Sequence, residues 1–209
     1  MYIYPIKLKS DLSTGMLPIA QANAAKYQLK RFLNKMPQGT IAYVAGGAPR
    51  DWHHGWGCRD VDIFYQVPND VDSLNAAEIQ LQNYRPVGAA YGPYGYSCGT
   101  QNLMSVHEYK IQQGSLRSLD VQLIRVEGHP LNVIKDFPIN LSHIWMDTSG
   151  QIECDFWYQT GYNSRIISAV HDKQYYYPYL EKILPRFTDY AFTPKEWTGK
   201  RKENLIEEA

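Results

Sequence analysis

Residues 44–65 read VAGGAPRDWHHGWGCRDVDIFY, and this stretch decides how the rest of the chain is understood. The apolar, β-rich run TIAYVA (40–45) is stopped by Gly46-Gly47. Twelve residues separate Gly47 from Asp60, where Asp60-Val61-Asp62-Ile63 leads into a second buried-strand pattern at 61–67. Two glycines in a row let backbone N–H groups approach an anion closely, because no Cβ intervenes. In a strand, residues i and i+2 share a face, so Asp60 and Asp62 present their carboxylates together. Such a pair repels unless a cation lies between its members. Hard oxygen donors of this kind suit Mg²⁺, which bridges carboxylates and substrate phosphates. In a two-metal site one ion activates an attacking hydroxyl and the other stabilises the leaving pyrophosphate.

A two-metal site calls for a third carboxylate from a neighbouring strand. Asp120 in SLDVQLIRV (118–126) is the leading candidate, an acid inside an otherwise apolar strand where unpaired burial is expensive. Glu108 is the alternative, because Val106, Glu108 and Lys110 alternate with Ser105, His107 and Tyr109 as in a strand. Singly, a Gly-Gly is a turn and an Asp-x-Asp a solvated strand end; the ordered combination carries the functional reading.

Outward from this centre, Ile19, Ala22, Leu29, Phe32, Leu33 and Met36 mark one face of a helix over 18–36, begun by Pro18 and ended by Pro37-Gln38-Gly39. Residues 70–83 read as a helix, 84–100 as a Gly- and Tyr-rich loop or hairpin, and 147–150 as a turn. A helix is expected within 135–145, and a helical pattern after about 160, through YYYPYLEKILPRF, before a charged tail from Thr193. The expected architecture is a mixed α/β domain with a short helical C-terminal part.

The 21 Lys and Arg balance the 21 Asp and Glu, so no whole-protein field points to nucleic acid, although a local basic groove is compatible with that balance. The 17 tyrosines serve hairpins and polar-edged packing as readily as base stacking at Tyr84, Tyr91, Tyr94 and Tyr96. Cys58, Cys98 and Cys154 are odd in number and far apart, which argues against a disulfide framework or a structural zinc site. His53-His54 reads as loop polarity, since adjacent residues rarely face one ligand, and His107, His129, His143 and His171 show no ligand spacing. Ser97-Cys98 lacks a nucleophile-elbow signature, and Lys200-Arg201-Lys202 is balanced by Glu203, Glu207 and Glu208. The first fifteen residues do not read as a signal peptide, and no stretch approaches the length of a membrane span; a cytoplasmic setting without a membrane partner is expected.

Gly-Gly, the twelve-residue gap and Asp-x-Asp together resemble the polymerase-β-type nucleotidyltransferase superfamily, and within it the head domain of bacterial-type CCA-adding tRNA nucleotidyltransferases and poly(A) polymerases. Those carry Gly-Gly-x-x-Arg-Asp, matched by Gly46, Gly47, Arg50 and Asp51. Their later Arg-Arg-Asp-Phe-Thr-Ile-Asn-Ala stretch is matched by Lys135-Asp136-Phe137-Pro138-Ile139-Asn140-Leu141, followed by a turn from Asp147 to Gly150. Asp120-Val121 through Arg125 resembles the third-carboxylate strand. The resemblance covers roughly residues 20–155 and implies a five-stranded mixed sheet flanked by helices. It divides the chain into a nucleotidyltransferase head at 1–155 and a short helical, neck-like segment with a charged tail at 156–209.

The resemblance further implies Asp60, Asp62 and Asp120 as catalytic ligands of two Mg²⁺ (or Mn²⁺) ions. Gly46, Gly47 and Arg50 would handle the triphosphate, with Asp136 and Asn140 near the nucleotide and the following hinge. The expected partners are an NTP such as ATP and an RNA acceptor, tRNA-like, extended at its 3′ end. Two departures stand out: Lys135 replaces the second arginine, and Pro138 replaces a threonine. The base-selecting acidic-Arg motif is matched poorly by Glu181, Lys182 and Arg186, which read as base contacts or as a solvated helix face, and the family's RNA-gripping body and tail are not expected in these 209 residues. Transfer to a protein or small-molecule hydroxyl, or a silent nucleotide-binding module, are the alternatives.

Overall fold

The computed structural model describes residues 4–6, 16–87, 103–113, 116–170, 180–181 and 183–193. Sequence expectations at Tyr91, Tyr94, Tyr96, Ser97-Cys98, His171, Lys182 and Lys200-Arg201-Lys202 lie outside these residues. The elements are β1 (Tyr4–Ile6), α1 (Met16–Leu33), β2 (Ile41–Ala45), α2 (Gly47–His53), β3 (Asp60–Gln66), α3 (Val71–Leu81), β4 (Arg85–Pro86), β5 (Leu103–Gln113) and β6 (Leu116–Val126). They continue with α4 (Pro130–Lys135), a 3-10 turn (Asn140–Ser142), β7 (Ile144–Met146), β8 (Ile152–Cys154), α5 (Phe156–Ser164), β9 (Ile166–Ser168), a second 3-10 turn (Leu184–Arg186) and β10 (Ala191–Thr193).

Eight strands form one mixed sheet in the order β1-β8-β7-β2-β3-β6-β5-β4, and β9 pairs parallel with β10. The fold class is the expected α+β, with a sheet broader than five strands. Four of the eight, β1, β4, β7 and β8, are only two or three residues long. Strands that short are too brief to show a period-2 signature.

Alternation along β3 sorts the two faces. Val61, Ile63 and Tyr65 enter the larger core with Ala25, Leu29 and Phe32 of α1, Trp52 of α2, Val121 and Leu123 of β6, and Tyr158 of α5. Asp60, Asp62 and Phe64 alternate onto the other face, where Phe64 joins a smaller core with Ala45, Ile124, Trp145 and the α4 residues Val133 and Ile134. The same rule that buries β3 therefore sends its two acids to the face of the smaller core.

Three local expectations are corrected. Residues 47–53 are helical (α2), opened by Gly46 at φ 76°, so His53 closes a helix and does not stand in a loop. The helix sought within 135–145 lies earlier, in α4, where His129 caps the N-terminus by accepting from the Leu131 N–H at 3.3 Å and Pro130 fills the first position. Pro138 cannot continue it, having no N–H and forcing its predecessor extended; Ile139 instead bridges to Ala169. Strand also stands at 166–168 where a helix was expected, whereas Leu180, Glu181 and Ile183 are helical as expected. α5 ends at Arg165 in the left-handed region (φ 54°), and the chain turns into β9, whose Ile-Ile-Ser sequence favours a strand.

Among the described residues no helix is long and apolar enough to cross a membrane. The larger core runs without a break from α1 through Leu180, Ile183, Phe187 and Tyr190, so residues 180–190 pack against the sheet and helices preceding residue 156.

Candidate active site

β3 and β6 pair in parallel with Asp60 opposite Asp120, and β2 pairs with β3 so that Ala45, just before the glycines, lies opposite Asp62. Backbone register alone thus brings Gly46, Asp62, Asp60 and Asp120 to one edge of one face. Glu108 is on that face too, opposite Gln122, but is ion-paired to Arg85 of β4. This separates the two candidates for the third acid: Asp120 is the direct neighbour of Asp60, and Glu108 lies a strand further away and is already neutralised.

Gly46 shows why the turn is glycine. Its φ is 76°, and a Cβ there would lie 2.9 Å from Asp62 Oδ2. Any other residue would be strained and would push the carboxylate away. The turn and the second acid are therefore one unit, with the Asp62 carboxylate lying across the bare α-carbon of Gly46.

The acids face cations of their own chain. Asp120 Oδ1 is 3.2 Å from Lys110 Nζ, and Asp60 Oδ2 is 3.7 Å from Arg59 Nη2. Adjacent strand neighbours stand about 5 Å apart, so two carboxylates there repel by roughly 1–3 kcal/mol between water-like and surface-like dielectrics. One exposed ion pair returns about 0–1 kcal/mol, leaving a net demand for positive charge. Among the described residues no three His, Cys, Asp or Glu side chains converge on one point as placed. The set nevertheless fits a hard divalent cation. All donors are carboxylate oxygens, the Asp60 and Asp120 side chains are 40% exposed and free to turn, and Asp120 Oδ1 is a buried oxygen accepting no hydrogen bond.

The loop leading into Asp60 is held by a residue that the sequence does not single out. Gln21 of α1 donates through Nε2 to the Cys58 carbonyl (2.9 Å), and its Oε1 accepts from the Cys58 N–H (2.8 Å) and the Trp52 indole (3.3 Å). Its amide imitates a strand partner two residues before Asp60. A buried glutamine among alanines on α1 carries no distinguishing pattern.

Arg50 is buried beneath the glycine turn. Its Nε and Nη2 both donate to Asp51 Oδ1 at 3.0 Å, and its guanidinium lies 5.4 Å from the Phe187 ring centroid. Nη2 would lie 3.4 Å from a Cβ on Gly47, so the side chain braces the turn from the core side. Asp51 Oδ2 in turn accepts from Arg186 at 2.8 Å, and Arg186 lies over Trp56. Arg186, read from sequence as a base contact or a solvated residue, is thus tied to the Gly-Gly-x-x-Arg-Asp motif. Glu181 is exposed.

Around this tie His54, Trp56, Phe187 and Tyr190 form an edge-on aromatic cluster. His54 Nδ1 donates to the Arg50 carbonyl (2.8 Å), leaving Nε2 to accept from the Tyr190 hydroxyl (2.9 Å). Burial holds this imidazole at about 4, well under its ordinary 6.5. His53 pairs with the Tyr158 hydroxyl at 2.8 Å.

Asn140, the first residue of the 3-10 turn, is buried and ties that turn to β9. Its Nδ2 donates to the Ile166 carbonyl, and its Oδ1 accepts from the Leu141 and Ser168 N–H groups. Asp136 closes α4 nearby in the chain, half-buried. Asp147 Oδ1 accepts from the Ser149 and Gln151 N–H groups, forming the expected turn.

With this geometry in place, solved structures supply the comparison. The Thermotoga maritima CCA-adding enzyme complexed with tRNA superposes at TM-score 0.55 and 15% identity, covering 88% of this chain and 43% of that one. An apo CCA-adding enzyme gives 0.54 and 14% over 83% and 40% of the two chains. A CCA-adding enzyme with ATP gives 0.52 and 16% over 90% and 43%. This is the polymerase-β-type nucleotidyltransferase fold. The chain spans about two fifths of the length of those structures. No protein-family model matches the sequence, and no curated protein does. In the nucleotidyltransferase fold of this chain, the Gly46 turn, the paired acids of β3 and the acid of β6 occupy one sheet edge, and residues 183–193 fold back on α2.

Proposed function

We propose that the chain is a divalent-metal-dependent nucleotidyltransferase, moving a nucleoside monophosphate from an NTP to an acceptor hydroxyl and releasing pyrophosphate. One observation carries the reading: parallel pairing of β3 and β6 sets Asp60 beside Asp120, while Asp62 lies against the only kind of residue that Gly46 can be. Asp60, Asp62 and Asp120 would hold the metal, Mg²⁺ or Mn²⁺, which supplies charge neutralisation and a more acidic acceptor hydroxyl. The Gly46-Gly47 backbone admits the triphosphate close to Asp62, because no side chain stands between them. Arg50 and Asp51 keep that turn in shape, and Gln21 keeps the loop before Asp60 in register. Asp136 and Asn140 would lie near the nucleotide and the hinge that follows it. The head at 1–155 holds all of these groups except the Arg186 tie, which the segment 156–209 contributes.

An RNA 3′ end, tRNA-like, is the acceptor that the likeness to CCA-adding enzymes favours, with ATP among the donors and cytoplasmic tRNA processing as the setting. One observation favours a small-molecule or protein hydroxyl instead: the exposed cations flanking the acids, Arg59, Lys110 and Arg85, are each ion-paired to Asp60, Asp120 and Glu108. The test is incubation with each α-labelled NTP, Mg²⁺ and total RNA, beside an Asp60→Ala/Asp62→Ala control. Label on RNA that is absent in the control supports transfer to RNA. Pyrophosphate release with label on another acceptor moves the assignment there. No pyrophosphate with any NTP and acceptor overturns the enzymatic reading.

A further inference from the structure

The polar row on the face of the smaller core continues past the three acids to Lys110 of β5. Lys110 and Asp120 are direct partners in the antiparallel β5–β6 ladder, so their side chains leave the sheet together. The pair is lopsided. Asp120 Oδ1 is shielded from solvent and accepts no hydrogen bond, whereas the Lys110 side chain, 3.2 Å away, is 71% exposed. A carboxylate oxygen out of water without a hydrogen bond is costly, and the ammonium is the charge that offsets this cost. Lysine is a compact cation on a flexible four-carbon stem, so it can leave as readily as it arrives. Glu108, two residues along β5 on the same face, is engaged by Arg85 and does not hold Lys110 back. Arg59 stands further from Asp60, at 3.7 Å, with its side chain 82% exposed.

We propose that Lys110 is a resident counter-ion of the third carboxylate, competing with a divalent cation for Asp120 Oδ1. It relieves repulsion among the acids when no metal is bound, and it weakens metal binding because the ammonium must be displaced. This rests on the nucleotidyltransferase reading of the same acids. The role differs from that of a phosphate-binding lysine: its partner is the acid, and its effect falls on metal affinity even without nucleotide.

The test is Mn²⁺ titration of the nucleotide-free protein, followed by the electron paramagnetic resonance of free Mn²⁺, with thermal unfolding alongside. Lys110→Met keeps the apolar stem and deletes the charge. It should tighten Mn²⁺ binding about two- to fivefold at low ionic strength, the fold-change that a surface ion pair is worth, and the gain should shrink in high salt. Without metal its Tm should fall, and saturating Mg²⁺ should raise that Tm more than in the unaltered protein. Lys110→Arg should bind Mn²⁺ as the unaltered protein does, and Lys110→Gln serves if the methionine variant does not fold. Unchanged or weaker Mn²⁺ binding in Lys110→Met overturns the inference. If that binding still disappears in Asp60→Ala/Asp62→Ala, the nucleotidyltransferase reading stands without it. No Mn²⁺ binding by any form overturns both.

Discussion

The acid-bearing edge of the sheet and the clamp over α2 meet in sequence between Asp51 and Asp62 yet are built on opposite principles. At the edge the backbone does the positioning: ladder register sets Asp60, Asp62 and Asp120 side by side, and their side chains stay partly exposed with loose ion pairs. At the clamp the side chains do it. Asp51 receives two arginines, His54 donates and accepts, and Phe187 packs against Arg50, His54, Trp56 and Tyr190. Under the proposed function the acids would take up a metal and release product, which calls for mobile side chains on a rigid backbone. A support that keeps the turn in place needs the reverse.

The sharpest way to break the comparison is Asp60→Ala/Asp62→Ala. Nucleotidyl transfer should fall by about a thousandfold or more, while the metal-free Tm holds or rises because a repulsion is removed. A large loss of Tm would show the acids to be structural. Phe187→Ala should do the opposite, costing about 3–5 kcal/mol through its cavity, or about 10 °C in Tm for a chain of this size. Mn²⁺ binding by the variant below its melting range should survive. Loss of that binding at full folding would mean that the clamp reaches into the edge.

The pH prediction concerns His54, a base whose folded value near 4 lies below its ordinary 6.5. Between these values the unfolded chain takes a proton that the folded chain refuses, so stability declines as pH falls from about 6.5 to about 4. The decline from this group is at most about 3 kcal/mol. His54→Gln should flatten urea-derived stability across that window; an equal slope in both proteins would remove His54 as the cause. The smallest effect is expected at Gln21→Leu, which leaves the N–H and C=O of Cys58 unmatched at a cost of about 1–2 kcal/mol. Because Gln21 belongs to both regions, kcat should fall by more than the stability loss explains. A kcat that tracks only the folded fraction would confine Gln21 to support.

The centre of this protein was legible because its signals are local. A glycine that must adopt positive φ, followed at fixed spacing by acids two apart on a strand, is written in residue types, and β2, β3, α3 and β6 follow from apolar periodicity. Short elements were not legible: β1, β7, β8 and β9 are three residues each, and α2 begins at a glycine that reads as an ending.

The sequence by itself determined which groups the proposed chemistry would use, carboxylates that share one strand face and a turn that only glycine can make. The sequence ranked Asp120 ahead of Glu108 as the third acid, but only tertiary structure, through parallel pairing with β3, stands Asp120 directly beside Asp60 and leaves Glu108 a strand away. Tertiary structure alone tied Arg186 to Asp51 and made Lys110 a partner of Asp120. The physical reason is range. Turn and strand chemistry act over a few residues, whereas an ion pair 135 residues apart in sequence, as between Asp51 and Arg186, exists only once the chain has folded.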